Sequence, residues 1–277
     1  MHGLVIRNTG YSYTVKSDAG EVFECKVKGN FRIRGIRTTN PVAIGDRVTF
    51  TPQEVGADIE QAHQGLITEL DDRKNYIIRK STNLSKQSHI IAANVDRCFL
   101  VVTIRQPETP LQFIDRFLAS AEAYNVPVTL VFNKIDLVTD EWAEYLNGVI
   151  NLYETIGYEC RRISAKTGEG VEELRNELSG RTTLLSGNSG VGKSTLINML
   201  YPHLSLKTNE ISDAYETGKH TTTFSEMYEV DHDGYIIDTP GIKGFGTFNM
   251  KREEVGHYFK EIFHFSAGCR FNNCTQY

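Results

Sequence analysis

The chain has 277 residues, of which 23% are charged, and a formal net charge of −5 at pH 7. This length allows one large domain or two to three smaller ones. The negative net charge excludes nucleic-acid binding by bulk charge, so such binding needs a local basic patch. No apolar run approaches the roughly 20 residues that cross a bilayer, residues 1–8 carry no signal-peptide pattern, and the five cysteines, an odd number, argue against a disulfide framework. We expect a cytoplasmic monomer with no membrane partner.

Residues 1–70 form a first domain that reads as all-β. Five short strand candidates, 4–6, 11–17, 21–27, 42–50 and 66–70, are separated by turn signals. Five short strands in this length predict a small barrel of the OB-fold type.

A basic run without an acidic residue lies within this domain. It is either a surface that follows RNA phosphates and stacks a base on its aromatic residue, or a solvated loop whose aromatic residue packs into the barrel. Its candidate RNA-binding residues are Lys26, Lys28, Phe31, Arg32, Arg34 and Arg37.

Residues 71–94 look like a linker, in which the basic and polar stretch 79–86 could also extend a nucleic-acid surface. From residue 95 to residue 247 strands and helices alternate. Strand-like apolar runs at 95–102, 127–132, 158–163 and 181–186 are separated by helical periodicity. This alternation predicts an α/β domain with a mostly parallel sheet and helices on both faces.

A phosphate-binding loop, G-x-x-x-x-G-K-S, follows the last of these strands and precedes a predicted helix. Glycines let successive backbone N–H groups point at phosphate oxygens. Lys193 is placed to reach the β- and γ-phosphates, and the Ser194 hydroxyl to ligate Mg²⁺. The alternative is a glycine-rich turn before a helix. The candidate nucleotide-binding residues here are Gly187, Asn188, Ser189, Gly190, Val191, Gly192, Lys193, Ser194 and Thr195.

Two further motifs, N-K-x-D and S-A-K, follow neighbouring strands and indicate guanine. The Asp136 carboxylate has two acceptor oxygens that match the adjacent N1–H and N2–H₂ donors of guanine, a pair that adenine lacks. Asn133 can orient the loop, the Lys134 stem can cover the ring, and the Ala165 N–H can donate to the guanine O6. The residues of the two motifs are Asn133, Lys134 and Asp136, then Ser164, Ala165 and Lys166.

Two segments after the phosphate-binding loop have the pattern of switches. A G-K-H-T-T-T run offers Thr222 or Thr223 as a ligand of Mg²⁺. In the D-x-x-G motif, Asp238 can hold Mg²⁺ through water and the Gly241 N–H can meet the γ-phosphate. Loss of the γ-phosphate would release both segments.

The residue after this motif is Ile242, which cannot orient the attacking water as a glutamine does. We therefore expect slow intrinsic hydrolysis. His220 is the nearest candidate to position the water, and its alternative is a solvent-facing loop histidine. The predicted catalytic residues are thus Lys193, His220 and Gly241.

The order of the motifs is unusual, because N-K-x-D and S-A-K precede the phosphate-binding loop, as in a circular permutation. With this order, the G-K-H-T-T-T and D-T-P-G-I runs and the 269–274 sequence C-R-F-N-N-C, the chain resembles the RsgA (YjeQ/YloQ) family of circularly permuted ribosome-assembly GTPases. The resemblance implies an enzyme that converts GTP to GDP, is stimulated by the small ribosomal subunit and helps its late maturation. It also implies that the barrel contacts ribosomal RNA, and that His220 is the family's switch histidine.

Residues 248–277 begin with an amphipathic pattern, 253–265, that predicts a helix. The family continues with a zinc site of three cysteines and one histidine, of which Cys269 and Cys274 match the first two ligands. Gln276 stands at the histidine's position, so we expect Zn²⁺ only conditionally: either the chain is incomplete or this member has lost the metal.

Three competing functions stay open at this point. A GTPase regulated by another RNA or protein would share every nucleotide motif. An ATP-dependent enzyme conflicts with Asp136, and a GTP-binding RNA module would bind nucleotide without significant turnover.

Overall fold

The structure is a computed structural model that describes residues 1–27, 41–53, 63–80, 88–207, 225–239, 250 and 254–269. In its N-terminal part the strands close a barrel in the order β1-β2-β3-β5-β4, with β1 also pairing with β4. The predicted OB-type barrel is confirmed. Its strands are β1 His2–Asn8, β2 Tyr13–Ser17, β3 Val22–Val27, β4 Arg47–Gln53 and β5 His63–Leu70.

Alternating side chains of these strands fill the barrel. The fourth strand starts later than predicted, because the Asp46 carboxylate accepts a hydrogen bond from the Ala43 N–H at 2.7 Å and thereby closes a turn. The residues that are completely buried inside are Val5, Val15, Cys25, Val48, Phe50 and Ile67.

The linker prediction for residues 71–94 was wrong in the described part of this segment. Strands β6 (Tyr76–Lys80) and β7 (Ser88–Ala93) pair antiparallel as a hairpin. Ile77 and Ala92 are fully buried and belong to the same core as the helices of the following domain. Short apolar runs lie at the two ends of the hairpin, and the residues between them are polar except Leu84, so periodicity does not reveal it.

The second part of the chain is the predicted α/β domain. Its sheet has the order β10-β9-β8-β11-β13-β12, and every neighbouring pair is parallel except β12 with β13. Two cores cover its two faces, one under α1 and α2 and one under α3 and α4. The elements are β8 Arg97–Val102, α1 Leu111–Ala123, β9 Val128–Phe132, α2 Asp140–Ile156, β10 Glu159–Arg162, α3 Val171–Leu178, β11 Thr182–Ser186, α4 Lys193–Leu200, β12 Glu226–Val230 and β13 Gly234–Asp238.

The barrel and the α/β sheet are joined side by side. Strand β1 pairs antiparallel with β12, with Arg7 opposite Glu226, and the two side chains form an ion pair at 3.0 Å. Beside this joint, Lys16 of the barrel contacts Glu229 of β12. In the segment that follows β5, the Arg73 guanidinium donates to both carboxylate oxygens of Asp46. The barrel therefore continues the sheet at β12.

The predicted helix over 253–265 is divided in the structure. A 3₁₀ turn spans Val255–Tyr258, and helix α5 spans Lys260–Ser266. Phe259 between them is extended (φ −105°, ψ 114°). Gly256, which costs about 1 kcal/mol relative to alanine inside a helix, disfavours one continuous helix here.

None of the helices in the described ranges is long and apolar enough to cross a membrane.

Candidate nucleotide-binding site

The candidate site lies at the carboxyl edge of the α/β sheet. Because β8, β9, β10, β11 and β13 run parallel, the loops that follow them meet at one edge, where open α/β sheets bind ligands. The phosphate-binding loop follows β11, the N-K-x-D loop follows β9 and the S-A-K loop follows β10. The structure thus brings the separate sequence motifs to one place.

The phosphate-binding loop needs its glycines for space as well as for backbone conformation. Gly187 (φ 146°) and Gly192 (φ 96°) both have positive φ. A Cβ atom on Gly187 would collide with the backbone oxygen of Val101, and one on Gly192 with the side-chain amide of Asn133. Helix α4 begins directly after Gly192, so its N-terminus faces the loop and favours an anion.

Lys193 is buried in the centre of this loop, with 8% of its surface exposed. Its ammonium donates to the backbone oxygens of Gly187 at 3.0 Å and Asn188 at 2.9 Å. Burial lowers the pKa of Lys193 to about 8, an effect that the nearby Asp238 carboxylate opposes. The cation is therefore held where phosphate oxygens would be cradled.

Asn133 connects the three nucleotide motifs. Its amide nitrogen donates to the backbone oxygen of Val191 in the phosphate-binding loop at 2.8 Å. Its amide oxygen accepts from the N–H of Ala165 in the S-A-K loop at 2.9 Å. With 4% exposure the side chain is a buried bridge between these loops. The sequence suggested that Asn133 orients the loop, and these contacts are the geometry that such a role needs.

One of the two carboxylate oxygens of Asp136 accepts a hydrogen bond from the protein. The Ser164 hydroxyl donates to its Oδ1 atom at 2.6 Å, and the same hydroxyl oxygen accepts from the Thr167 N–H at 3.1 Å. Within the described ranges, no hydrogen bond to Asp136 Oδ2 is formed. Asp136 and Lys166 are exposed to solvent, so this carboxylate is open to a ligand.

Lys134 has a left-handed backbone (φ 64°) and reaches back over the phosphate-binding loop. Its ammonium donates to the backbone oxygen of Gly190 at 2.8 Å and to that of Gln106. Burial lowers the pKa of Lys134, while the Asp136 carboxylate raises it. Gln106 was not among the residues found in the sequence. A signal existed, because its loop follows a buried strand at the same sheet edge.

The candidate Mg²⁺ ligands in the described part are Ser194 and Asp238. Asp238 is 2% exposed at the end of β13, and Ser194 is half-buried in the first turn of α4. A hydroxyl and a carboxylate beside a phosphate site are the oxygen donors that Mg²⁺ prefers, so these residues fit the ion. The neighbouring Thr239 hydroxyl donates to the backbone oxygen of Leu185 at 2.9 Å, which fixes the start of the D-x-x-G segment on the strand that carries the phosphate-binding loop.

Several sequence-predicted residues lie outside the described ranges. Lys26 is described, and it is exposed on β3. Cys269 is described and half-buried, and the described ranges hold no group of three His, Cys, Asp or Glu residues that could bind a metal. The residues that lie outside are Lys28, Phe31, Arg32, Arg34, Arg37, His220, Thr222, Thr223, Gly241, Ile242, Cys274 and Gln276.

This arrangement defines a circularly permuted P-loop GTPase joined to an OB-type barrel, since the base-recognition loops precede the phosphate-binding loop in the chain but share its sheet edge. A family model described as RsgA GTPase matches residues 70–248, and one described as RsgA N-terminal domain matches residues 2–58. The chain belongs to the RsgA family of GTPases. The resemblance inferred from the motif order is thereby confirmed.

Relatives and solved structures agree with this assignment. The chain is 62% identical over 275 residues to the small ribosomal subunit biogenesis GTPase RsgA of Bacteroides fragilis, covering 99% of this chain and 86% of the relative. It is 50% identical to the RsgA of Christiangramia forsetii, again covering 99% and 86%. The crystal structure of YjeQ from Thermotoga maritima superposes with a TM-score of 0.73 at 33% identity, covering 99% of this chain and 86% of that one. The crystal structure of YloQ, a circularly permuted GTPase, superposes with a TM-score of 0.68 at 26% identity, covering 100% of this chain and 83% of that one.

Proposed function

We propose that this GTPase binds the small ribosomal subunit, that the subunit stimulates its GTP hydrolysis, and that it assists late maturation of the subunit in the cytoplasm. The observation that carries the enzymatic part is the Asn133 bridge, because one buried side chain ties the base-recognition loops to the phosphate-binding loop. The ribosomal part is supported by the names of relatives that are 50% to 62% identical over nearly the whole chain.

The proposed roles follow from the chemistry of each side chain. Asp136 accepts from the two guanine donors, and Ala165 donates its N–H to the guanine O6. Lys193 neutralises the β- and γ-phosphate oxygens from within the loop, at a position where it is already desolvated. When bound, Mg²⁺ would neutralise phosphate charge. Ser194 and Asp238 would hold that ion, together with Thr222 or Thr223.

His220 is proposed to position the attacking water, because Ile242 has no group that can do so. The proposed RNA contact is the basic run from Lys26 to Arg37 on the barrel, which is joined to β12 immediately after the first switch segment. Lys26, a described residue of this run, is exposed on β3, which belongs to the same sheet as β12.

The binding of zinc is proposed only on the condition that further ligands are present. Cys269 and Cys274 would supply two thiolates, and a closed structural site needs four ligands. Gln276 does not ligate zinc in such sites, so no part of the proposed activity depends on this metal.

The experiment is GTP hydrolysis by the purified chain, alone, with small subunits and with large subunits. We expect slow turnover alone and a sharp increase with small subunits only, with Lys193→Ala as the inactive blank. A response to neither subunit would contradict the proposal and leave a GTPase with another activator. No turnover under any condition, with GTP still bound, would instead support a GTP-binding RNA module.

The RNA contact is tested separately with Arg32→Glu combined with Arg34→Glu. We expect weaker binding of small subunits at physiological salt and unchanged affinity for free GTP, because the patch is proposed to contact only RNA phosphates. Arg116→Glu combined with Arg181→Glu is the matched control, since it changes the net charge equally at exposed positions of the α/β domain. Equal weakening by both pairs would show a bulk-charge effect and refute the patch.

A further inference from the structure

The loop over residues 103–110, between β8 and α1, is a compact structure at the nucleotide edge of the sheet. Its two ends are tied together by the Thr109 N–H donating to the Thr103 oxygen at 2.9 Å and by the Thr103 N–H donating to Thr109 Oγ1 at 3.1 Å. The Thr103 hydroxyl also donates to the backbone oxygen of Pro107. Thr103 is 1% and Thr109 5% exposed. Two buried threonines therefore fix the shape of the loop.

The tip of this loop contacts both nucleotide motifs. The Gln106 carbonyl accepts from the Lys134 ammonium of the N-K-x-D motif. The Pro107 ring lies against Gly190 of the phosphate-binding loop, where an added Cβ would be 3.3 Å from Pro107 Cδ. Lys134 also donates to the Gly190 oxygen at 2.8 Å. The ammonium is thus held between two carbonyls that belong to two different loops.

These contacts order the Lys134 side chain before any nucleotide binds. A free lysine side chain loses much rotamer entropy when it is immobilised at a binding site, and this cost weakens binding. Lys134 has three donor hydrogens, and two of them are used by main-chain carbonyls. Nucleotide binding therefore does not have to immobilise this side chain.

We propose that the loop 103–110 is an additional element of the guanine site, in which Thr103 and Thr109 are positioning residues that hold the Gln106 carbonyl against Lys134. This inference rests on the proposed role of Lys134 as the residue that covers the base. Gln106 contributes through its main-chain oxygen, and its side chain is exposed.

The test is the dissociation rate of fluorescently labelled GDP from the full chain, measured in a double-mutant cycle. Thr109→Val keeps the shape of the side chain but removes the oxygen that accepts from Thr103. We expect dissociation about three- to tenfold faster, the effect of one long side chain losing its order. Thr109→Ser restores the oxygen and should restore the rate. In a Lys134→Met background, Thr109→Val should have no further effect, because the loop acts through the ammonium.

Two controls separate positioning from loss of structure. Thr68→Val removes a hydroxyl that donates to the Thr49 oxygen in the barrel, and it should leave GDP dissociation unchanged. The ratio of GTP to ATP affinity should not change in Thr109→Val, since Asp136 reads the base. If Thr109→Val does not fold, Thr103→Val, which removes the hydroxyl bond to Pro107, replaces it in the cycle.

The outcomes distinguish this inference from the proposed site itself. Unchanged dissociation in Thr109→Val, or an equal acceleration with and without Lys134, overturns the role of the loop. Unchanged dissociation in Lys134→Met overturns the proposed role of Lys134 and the loop with it. If GDP dissociation changes in Lys134→Met but not in Thr109→Val, the role of the loop is overturned and that of Lys134 is kept.

Discussion

Replacing Asp136 by asparagine tests how guanine is selected. In the structure the Ser164 hydroxyl donates to Asp136 Oδ1 at 2.6 Å, while its oxygen accepts from the Thr167 N–H at 3.1 Å. Thr167 uses only the oxygen of the Ser164 hydroxyl, so this hydroxyl can keep donating to residue 136 after the substitution. With that bond kept, the amide oxygen of Asp136→Asn faces Ser164 and the amide NH₂ takes the place of the other carboxylate oxygen.

The size of the effect follows from this orientation. The guanine N1–H and N2–H₂ donors would meet another donor in place of a carboxylate oxygen. Hydrogen bonds to charged groups contribute about 1.5–3 kcal/mol each. Losing at least one such bond, and facing a donor, lowers GTP affinity by roughly 10- to 150-fold or more. Xanthine carries a carbonyl at C2 in place of the amino group, so the variant should bind XTP better than the parent chain does.

Equilibrium competition with GTP, ITP, XTP and ATP measures this directly. The parent chain should prefer GTP over ITP, which lacks the N2 amino group, and Asp136→Asn should abolish that preference. Adding Ser164→Ala should not restore GTP affinity, because an amide offers one acceptor oxygen whichever way it turns. GTP affinity within twofold of the parent chain in Asp136→Asn would refute the base-reading role of Asp136 and the reasoning from Ser164.

Further predictions concern charge, stability and turnover. Burial lowers the pKa of Lys193 to about 8 in the free protein, and a bound phosphate favours its cation. GDP affinity should therefore fall as pH rises above 8, and GDP binding should take up a proton at pH 9 but not at pH 7. Calorimetry in buffers of different ionisation enthalpy measures this uptake, and its absence at pH 9 would contradict the prediction. Arg73→Met leaves the fully buried Asp46 carboxylate without its cation. It should lower the free energy of unfolding in urea by about 3–5 kcal/mol. The control Arg47→Met, at an exposed ion pair, should lower it by less than about 1 kcal/mol. His220→Ala should reduce subunit-stimulated turnover but not GTP affinity, and unchanged turnover would remove His220 from the mechanism.

The α/β domain was predictable because its fold rests on patterns that are local in sequence. Buried parallel strands are continuous apolar runs, and each nucleotide motif directly follows one of them. The alternating helices and strands then leave few other arrangements. Because loops that follow parallel strands share one sheet edge, the common location of the nucleotide motifs was predictable as well.

The hairpin β6–β7 and the loop 103–110 were missed for a different reason. Both depend on contacts that are distant in sequence. Ile77 is buried only because the hairpin packs on the helical core of the next domain, and Gln106 reaches Lys134 across 28 positions of the chain. The sequence placed the loop of Gln106 at the nucleotide edge, but neither a short apolar run nor a single glutamine tells which residue it will contact, so tertiary packing decides both.

Because of the permuted motif order, the D-x-x-G motif is followed in the chain by the C-terminal segment, which contacts helix α1. Helix α1 begins at the nucleotide edge and ends at the opposite edge, where Lys260 contacts Glu122 at 3.2 Å and lies 3.9 Å from the centroid of the Tyr158 ring. Both ionic groups are about one-third exposed, and such a pair contributes at most about 1 kcal/mol, with about 0.5–1 kcal/mol more from an exposed cation–π contact. The two Lys260 contacts, in the part of the chain that follows the D-x-x-G motif, are therefore weak ones.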